Sequence, residues 1–220
     1  MVKGIKGKSE KLAMLLDANK ALTSTLDLDR LLEVIMGQAK RVVNAEASSL
    51  MLLDETTKEL FFDVTVGGEG EKLRQIRLKL GQGIAGWVAR EGKPLVVANA
   101  RKDSRFFRKA DEVTKFRTKS ILCVPLRIKE RIIGVMEAIN ELSRGYFVDE
   151  DREIFEAFAS QAATAIENAR LFKNLKREKE KIEAVFGGMG DGAVVTDAKL
   201  NLVMLNNSAK NLLGIGKRNC

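Results

Sequence analysis

The 220-residue chain contains no histidine, and that absence removes more chemistry than any other feature of its composition. Ser-His-Asp and Cys-His nucleophiles, a phosphoacceptor histidine and histidine-ligated haem are excluded within the chain, together with most metal-site and acid/base designs. The two cysteines, Cys123 and Cys220, do not make a disulfide framework. Cys123, flanked by Leu122 and Val124, reads as a small buried hydrophobe and not as a reactive thiol. Aromatic residues make up 5% of the chain, too few for a base-stacking platform. There are only two prolines, and no run of about 18 apolar residues that could span a bilayer. The opening "MVKGIKGKSEKLAML" is too polar for a signal peptide, so the sequence predicts a cytoplasmic location.

What is present is charge, unevenly placed. Against a net charge of +8 for the whole chain, the stretch from Glu71 to Arg131 holds 17 Lys/Arg and 6 Asp/Glu. Such a field attracts nucleic acid, an anionic partner or a phosphate-bearing small molecule, and its plainest reading is a solvated basic surface.

Leu12, Leu15, Asn19, Leu22 and Leu26 recur at spacings of three and four, the pattern of a coiled-coil seam over residues 1–26. Asp27 then serves as an N-cap for a second helix that turns Leu28, Leu31, Leu32, Ile35, Met36, Ala39 and Val43 to a core, and Asn44 stops it. Six short runs follow that read as strands: "SSLMLLD" (48–54), "LFFDVTVG" (60–67), "IRLKL" (76–80), "PLVVAN" (94–99), "SILCVPLRI" (120–128) and "RIIGVMEAIN" (131–140). The dipeptide "KE" makes a tight hairpin of the last two, and segments 84–91 and 104–115 read as short helices or loops between strands. The alternation predicts an α/β fold with a six-stranded antiparallel sheet, sandwiched between terminal helices and short helices on the opposite face.

From Asp149 the chain is helical for nearly forty residues, with a seam through Phe155, Phe158, Ala162, Ile166, Ala169, Phe172, Leu175, Ile182 and Phe186. Its spacing falls to successive threes between Ala169 and Leu175, a discontinuity that locally overwinds a coiled coil. "GGMGDG" (187–192) breaks the helix, and residues 192–214 restart with two short strands and a helix, too little chain to fold as an independent unit.

"GQGIAG" (81–86) fits the dinucleotide pattern G-x-G-x-x-G, but its helix is over by Gly92 and cannot cover a parallel sheet. "GIGK" (214–217) lacks the spacing and the following hydroxyl of a P-loop.

Taken in order, "IRLKLGQGIAGWVAREGKPLVVANARKDSRF", "SILCVPL", "IIGVMEAIN" and "FVDEDREIFEAFASQAATAIENARLF" resemble a GAF domain, over about residues 12 to 175. The resemblance implies a GAF-like domain over 27–170, with a ligand pocket on one sheet face and terminal helices on the other, where such domains dimerise. It also implies a signalling-helix linker over 171–186. The tail, 187–220, with "DGAVVTD" and "LNNSAKNLLG", is similar to the start of a PAS domain.

"FFRKADEVTKFRTKSILCVPL" resembles the pocket segment of cyclic-nucleotide phosphodiesterase GAF domains. That likeness implies ligand contacts at Ser49, Asp63, Ile84, Ala85, Phe107, Asp111, Thr114, Thr118 and Glu137, with Phe107 stacking near a purine and Asp111, Thr114 and Thr118 in the roof. Trp87, flanked by Ile84 and Val88 at helical spacing, reads as a packing residue of the short helix and Phe106 as a core anchor, with Phe116 open to either role. The family's N-K...F...D-E signature appears as Asn140, Glu141, Phe147, Asp151 and Arg152, with an acid where the lysine belongs and a base in place of the final acid. A reversed pair, Glu141 with Arg152, would restore the contact.

The function implied is a non-catalytic sensor with no cofactor, binding a small molecule such as a cyclic nucleotide. As a homodimer it would signal through its long helix to PAS and effector domains, without a membrane. Two alternatives remain open at this point. One is a thiol-dependent methionine sulfoxide reductase on the same fold. The other is a module that binds nucleic acid or an anionic partner through its basic middle.

Overall fold

Asp27 caps a 15-residue helix, its side chain accepting from the amide of Arg30 at 2.9 Å. This helix, α1 (Leu28–Val42), buries Leu31, Leu32, Ile35, Met36, Ala39 and Val42; of the expected face, Leu28 at the first turn is only partly buried, and Val43 is buried as the C-cap just past the helix. It ends where Asn44 takes a left-handed conformation, φ 51°. The computed structural model describes residues 17, 20–22, 25–62 and 75–215. Asp63, Cys220, most of the 1–26 stripe and the remainder of the second strand-like run lie outside the described residues.

Six strands follow: β1 (Ala45–Leu53), β2 (Glu59–Phe62), β3 (Arg77–Lys79), β4 (Leu95–Val97), β5 (Ile121–Ile128) and β6 (Arg131–Glu141). They form one sheet in the order β3-β2-β1-β6-β5-β4, with every neighbour antiparallel. The β5–β6 hairpin turns on Lys129 and Glu130, with Ile128 opposite Arg131 and Lys129 at φ 54°.

Side-chain alternation along these strands makes two cores. Leu50, Leu52, Leu122, Val124, Met136 and Ala138 face α1 and the first half of the long helix α4 (Asp149–Gly188). On the other face, Met51, Ile121, Cys123 and Val135 meet α2 (Gly83–Glu91), while a 3₁₀ turn (Ala100–Lys102) and α3 (Lys109–Thr114) continue the connection to β5. The fold is the expected α/β sandwich around a six-stranded antiparallel sheet.

The helical stripes are used differently from a continuous seam. Leu22 is buried in the core beside α1, while Leu26 is exposed. On α4, Phe155, Phe158, Ala162, Ile166 and Ala169 are buried, whereas Phe172, Leu175 and Ile182 are exposed. The seam therefore changes role near the spacing discontinuity: its first half closes the domain's own core.

The chain divides into two units, Met1–Arg170 and Leu171–Cys220. The second contains the end of α4, the hairpin β7 (Val194–Thr196) and β8 (Leu202–Leu205), and α5 (Asn207–Leu212). Asn206 organises it: its Oδ1 accepts from the amides of Ala193 and Ala209, and its Nδ2 donates to the carbonyl of Asp191. Val194, Leu200, Leu202, Val203, Leu212 and Leu213 are exposed there. Among the described residues, no helix is long and apolar enough to cross a membrane.

Candidate functional site

The glycines of "GQGIAG" fold β3 tightly onto α2. Gly81 and Gly83 stand at φ 88° and 73°, and a Cβ on Gly86 would lie 2.5 Å from the carbonyl oxygen of Lys79. The glycines thus serve a close turn, which sets Ile84 and Ala85 against the sheet. A second constraint is the turn at Asp103, whose carboxylate takes two hydrogen bonds from the Arg105 guanidinium, at 2.7 and 2.9 Å. Those bonds hold the Asp103 carboxyl below its ordinary range and raise Arg105. Arg105 also lies over the Trp87 ring at 4.9 Å, so Trp87 packs beneath the turn that delivers Phe106 and Phe107.

The charged mouth of β5 is pinned from below by Asn140, at φ 57° in β6. Its Oδ1 accepts from the amides of Lys119 (2.7 Å) and Ser120 (3.3 Å), and its Nδ2 donates to the Arg117 carbonyl (2.9 Å) and to Glu46 (2.8 Å). Thr118 sits buried on this platform and faces α3. Its hydroxyl donates to Asp111 Oδ1 at 2.5 Å, and its amide donates to Oδ2 at 3.0 Å. Arg101 adds a third bond to the same carboxylate, at 3.2 Å. Asp111 and Thr118 therefore clasp α3 to the sheet.

Beneath the clasp lies a cavity of about 70 Å³. Ile84, Ala85, Phe107, Asp111, Thr118 and Glu137 all line it, six of the nine positions expected from sequence. Ser49 stands behind them: it is opposite Glu137 in the β1–β6 register, and its hydroxyl donates to Glu137 Oε2 at 2.7 Å. Burial raises the Glu137 carboxyl, with the Ser49 bond acting the other way. Thr114 does not border the cavity. Its hydroxyl donates to the Ala110 carbonyl (2.8 Å) and accepts from the Phe116 amide (3.3 Å), so it closes the end of α3.

Further wall residues escaped the motif reading, among them Met51, Phe62, Ile121 and Ile139. The signal was available: Met51 shares the parity of Ser49, and Ile121 and Ile139 that of Cys123 and Glu137, so strand alternation puts them on one face. Phe106, expected as a packing residue, lines both the cavity and an open groove of about 380 Å³ beside it. Phe116 lines the groove but not the cavity.

Cys123 is buried directly opposite Glu137, and burial first, then the Glu137 charge, pushes its thiol well up. A thiolate is the nucleophilic form, so this position disfavours attack chemistry. Among the described residues, no group of three His, Cys, Asp or Glu side chains is placed to hold a metal ion.

The signature at the start of α4 is rebuilt by a residue outside it. Glu141 is not paired with Arg152, as a reversed pair would require. Instead Arg144 donates to Asp151, and the amides of Arg144 and Gly145 donate to Glu141. Arg152 reaches Asp149 and Glu156. The turn curls Arg144 back over the two acids, while the expected partner Arg152, on α4, turns to Asp149 and Glu156.

The family profile of the GAF domain matches residues 27–166. The chain belongs to the GAF domain family. A curated relative, the probable 3',5'-cyclic phosphodiesterase pde-5 of Caenorhabditis elegans, is 33% identical over 185 residues, covering 79% of this chain and 25% of the relative. The chain thus spans about a quarter of that relative's length. Among solved structures, the GAF domain of a phosphoenolpyruvate-protein phosphotransferase from Coxiella burnetii superimposes with a TM-score of 0.66 at 19% identity, covering 74% of this chain and 96% of that one. The free methionine-R-sulfoxide reductase of Neisseria meningitidis, solved with its substrate, has a TM-score of 0.59 at 19% identity, covering 73% and 90%. At these identities the likeness is one of fold.

Proposed function

We propose that this GAF domain is a non-catalytic sensor whose roofed cavity takes a small molecule, with a cyclic nucleotide as the leading ligand. The observation that carries the reading is convergence: Ile84, Ala85, Phe107, Asp111, Thr118 and Glu137 come from separate segments and meet at one cavity. The phosphodiesterase relative supports the choice of ligand class. The 70 Å³ cavity is far below the roughly 300 Å³ at which ligand pockets begin. Binding a nucleotide therefore requires the cavity to enlarge; in this reading α3 lifts, and the ligand replaces the bonds that Asp111 and Thr118 make to one another. The change would reach α4, and through its exposed second half a second copy of the chain. In this reading residues 27–170 are the sensor, 171–186 the signalling linker and 187–220 the start of a PAS-like domain that leads to an effector.

The test is thermal denaturation with cyclic AMP and cyclic GMP. A saturable rise in melting temperature supports the reading. No shift with either at millimolar concentration overturns the choice of ligand. A thiol-dependent reductase finds no support at Cys123, whose thiol is raised by burial.

A further inference from the structure

The groove outside the cavity has a composition of its own. Residues 101–119 carry eight Lys/Arg against three Asp/Glu. Four of those cations, Arg101, Arg108, Lys115 and Arg117, line the 380 Å³ groove and are exposed. Its volume falls within the range of small-molecule sites, and the cations converge from the 3₁₀ turn, the start of α3 and the segment after α3. Phe106 and Asp111 belong to both spaces, so one wall separates the groove from the closed cavity.

That wall is weakly anchored. Helix α3 has six residues, none of them fully buried, and ends at Lys115 with φ 56°. Asp111 fastens it through Thr118 and through Arg101. Arg101 therefore has two uses: it faces the groove, and it ties Asp111 to the 3₁₀ turn.

We propose that the groove is an anion-binding vestibule for a phosphate-bearing small molecule, and that occupancy draws Arg101 off Asp111 and loosens the Asp111–Thr118 clasp that closes the cavity. Two forces act in the same direction. A polyanion competes with the Asp111 carboxylate for the Arg101 guanidinium, and its negative charge repels Asp111 and Glu112 from across the groove. With the Arg101 tie gone, α3 opens more often. This inference rests on the cavity being a ligand site, because it gives the roof an opening trigger.

The experiment titrates the 220-residue protein with inorganic tripolyphosphate, against sodium chloride of matched ionic strength. Binding is read by calorimetry and the clasp by amide hydrogen exchange at Thr118, whose N–H donates to Asp111. Saturable binding is expected, weakened at least tenfold in the Arg108→Gln, Arg117→Gln double variant, with faster Thr118 exchange when tripolyphosphate is bound. Arg101→Gln should speed Thr118 exchange in the absence of tripolyphosphate and leave a smaller further acceleration on binding, since the coupling side chain is gone and only charge repulsion of Asp111 remains. Heat released no differently from the chloride control, binding indifferent to the groove variants, or Thr118 exchange unchanged or slowed at saturation would each overturn the proposal. So would an oligonucleotide that binds much more tightly than tripolyphosphate and is unaffected by the groove variants, because the cationic surface would then serve nucleic acid. If cyclic nucleotides fail to shift melting while tripolyphosphate meets these expectations, the nucleotide reading falls and the vestibule stands. If a cyclic nucleotide shifts melting while tripolyphosphate does not bind, the vestibule falls and the nucleotide reading stands.

Discussion

Arg144 donates a hydrogen bond to Asp151 across the turn that leads into α4, and the same guanidinium stands 4.0 Å from Glu141. Both acids are almost fully enclosed, at 8% and 2% side-chain exposure, so the cation is what makes their charges tolerable together. Burial opposes ionisation of Glu141, but the amides of Arg144, Ser143 and Gly145 and the Asn44 side chain outweigh it and hold the carboxyl below its ordinary value.

Arg144→Met should therefore lower stability by about 1–2 kcal/mol, a figure moderated by the exposure of the guanidinium. Arg144→Lys should recover part of the loss. Urea denaturation measures both. Because the folded Glu141 pKa lies below the value of 4.5 for a free carboxyl, its contribution is present above pH 4.5 and disappears as pH falls through the folded pKa. The wild-type should lose stability across that acid window, and a Glu141→Gln variant should lose less.

Asn140 is the support for the whole β5 mouth, since it holds Arg117, Lys119 and Ser120 through one side chain. Asn140→Ala removes the acceptor of two amides and leaves alanine in a left-handed conformation. A loss of about 3 kcal/mol is expected, which lowers the melting temperature of a domain this size by roughly 6–12 °C. Asn140→Gly relieves the backbone but not the bonds, and should fall between the two. Scanning calorimetry on the three proteins orders them. If alanine proves as stable as asparagine, the pinned segment is not held as described.

The sheet was legible in the sequence because its strands are short apolar runs bounded by turn residues. Leu50, Met51 and Leu52 are all buried, Leu50 and Leu52 in one core and Met51 in the other, so the unbroken run marks a strand covered on both faces. The pocket positions came from a resemblance, and they fell short where local chemistry intervened: Thr114 is close enough in sequence to bond its own helix carbonyl, a contact no motif spacing reveals. Arg144 was invisible for a related reason. A reversed charge pair reads naturally as Glu141 with Arg152, and only the path of the turn decides that a different arginine curls back. The apolar stripe on α4 was legible as a stripe, yet its division at Ala169 into a buried and an exposed half depends on where the sheet ends.

That exposed half makes an association prediction. Phe172, Leu175, Ile182 and Phe186 fall on a and d positions of a heptad in which Lys179 takes the remaining a site. Phe172, Leu175 and Ile182 are 48%, 70% and 62% exposed, more apolar surface than an isolated helix face needs. The protein should be a dimer at micromolar concentration in light scattering. The double variant Phe172→Glu, Leu175→Glu should shift it towards monomer with the sheet intact by circular dichroism, while Lys179→Leu should tighten it. Leu22 is not a suitable probe, because a charge there enters the core. A wild-type monomer at that concentration would count decisively against pairing through α4.

Glu137 offers the pH prediction that bears on the ligand. Its carboxyl is raised above 4.5 by burial in the folded protein, so the sign is opposite to that of Glu141. The stability associated with the protonated acid is complete below pH 4.5 and is lost as pH rises through the folded pKa, since ionisation then charges a group walled by Ile121, Ile139 and Met51. Glu137→Gln keeps the shape and an acceptor for the Ser49 hydroxyl but cannot ionise. It should melt higher than wild-type at pH 8 and converge with it near pH 4. A ligand that donates N–H groups to the carboxylate would reverse the ranking when bound: it would stabilise wild-type at pH 8 more than the variant, by about 1.5–3 kcal/mol for a hydrogen bond to a charged acceptor. Melting curves at both pH values, with and without cyclic GMP, separate the two effects. If the variant gains the same shift as wild-type from the nucleotide, Glu137 forms part of the cavity wall without contacting the ligand.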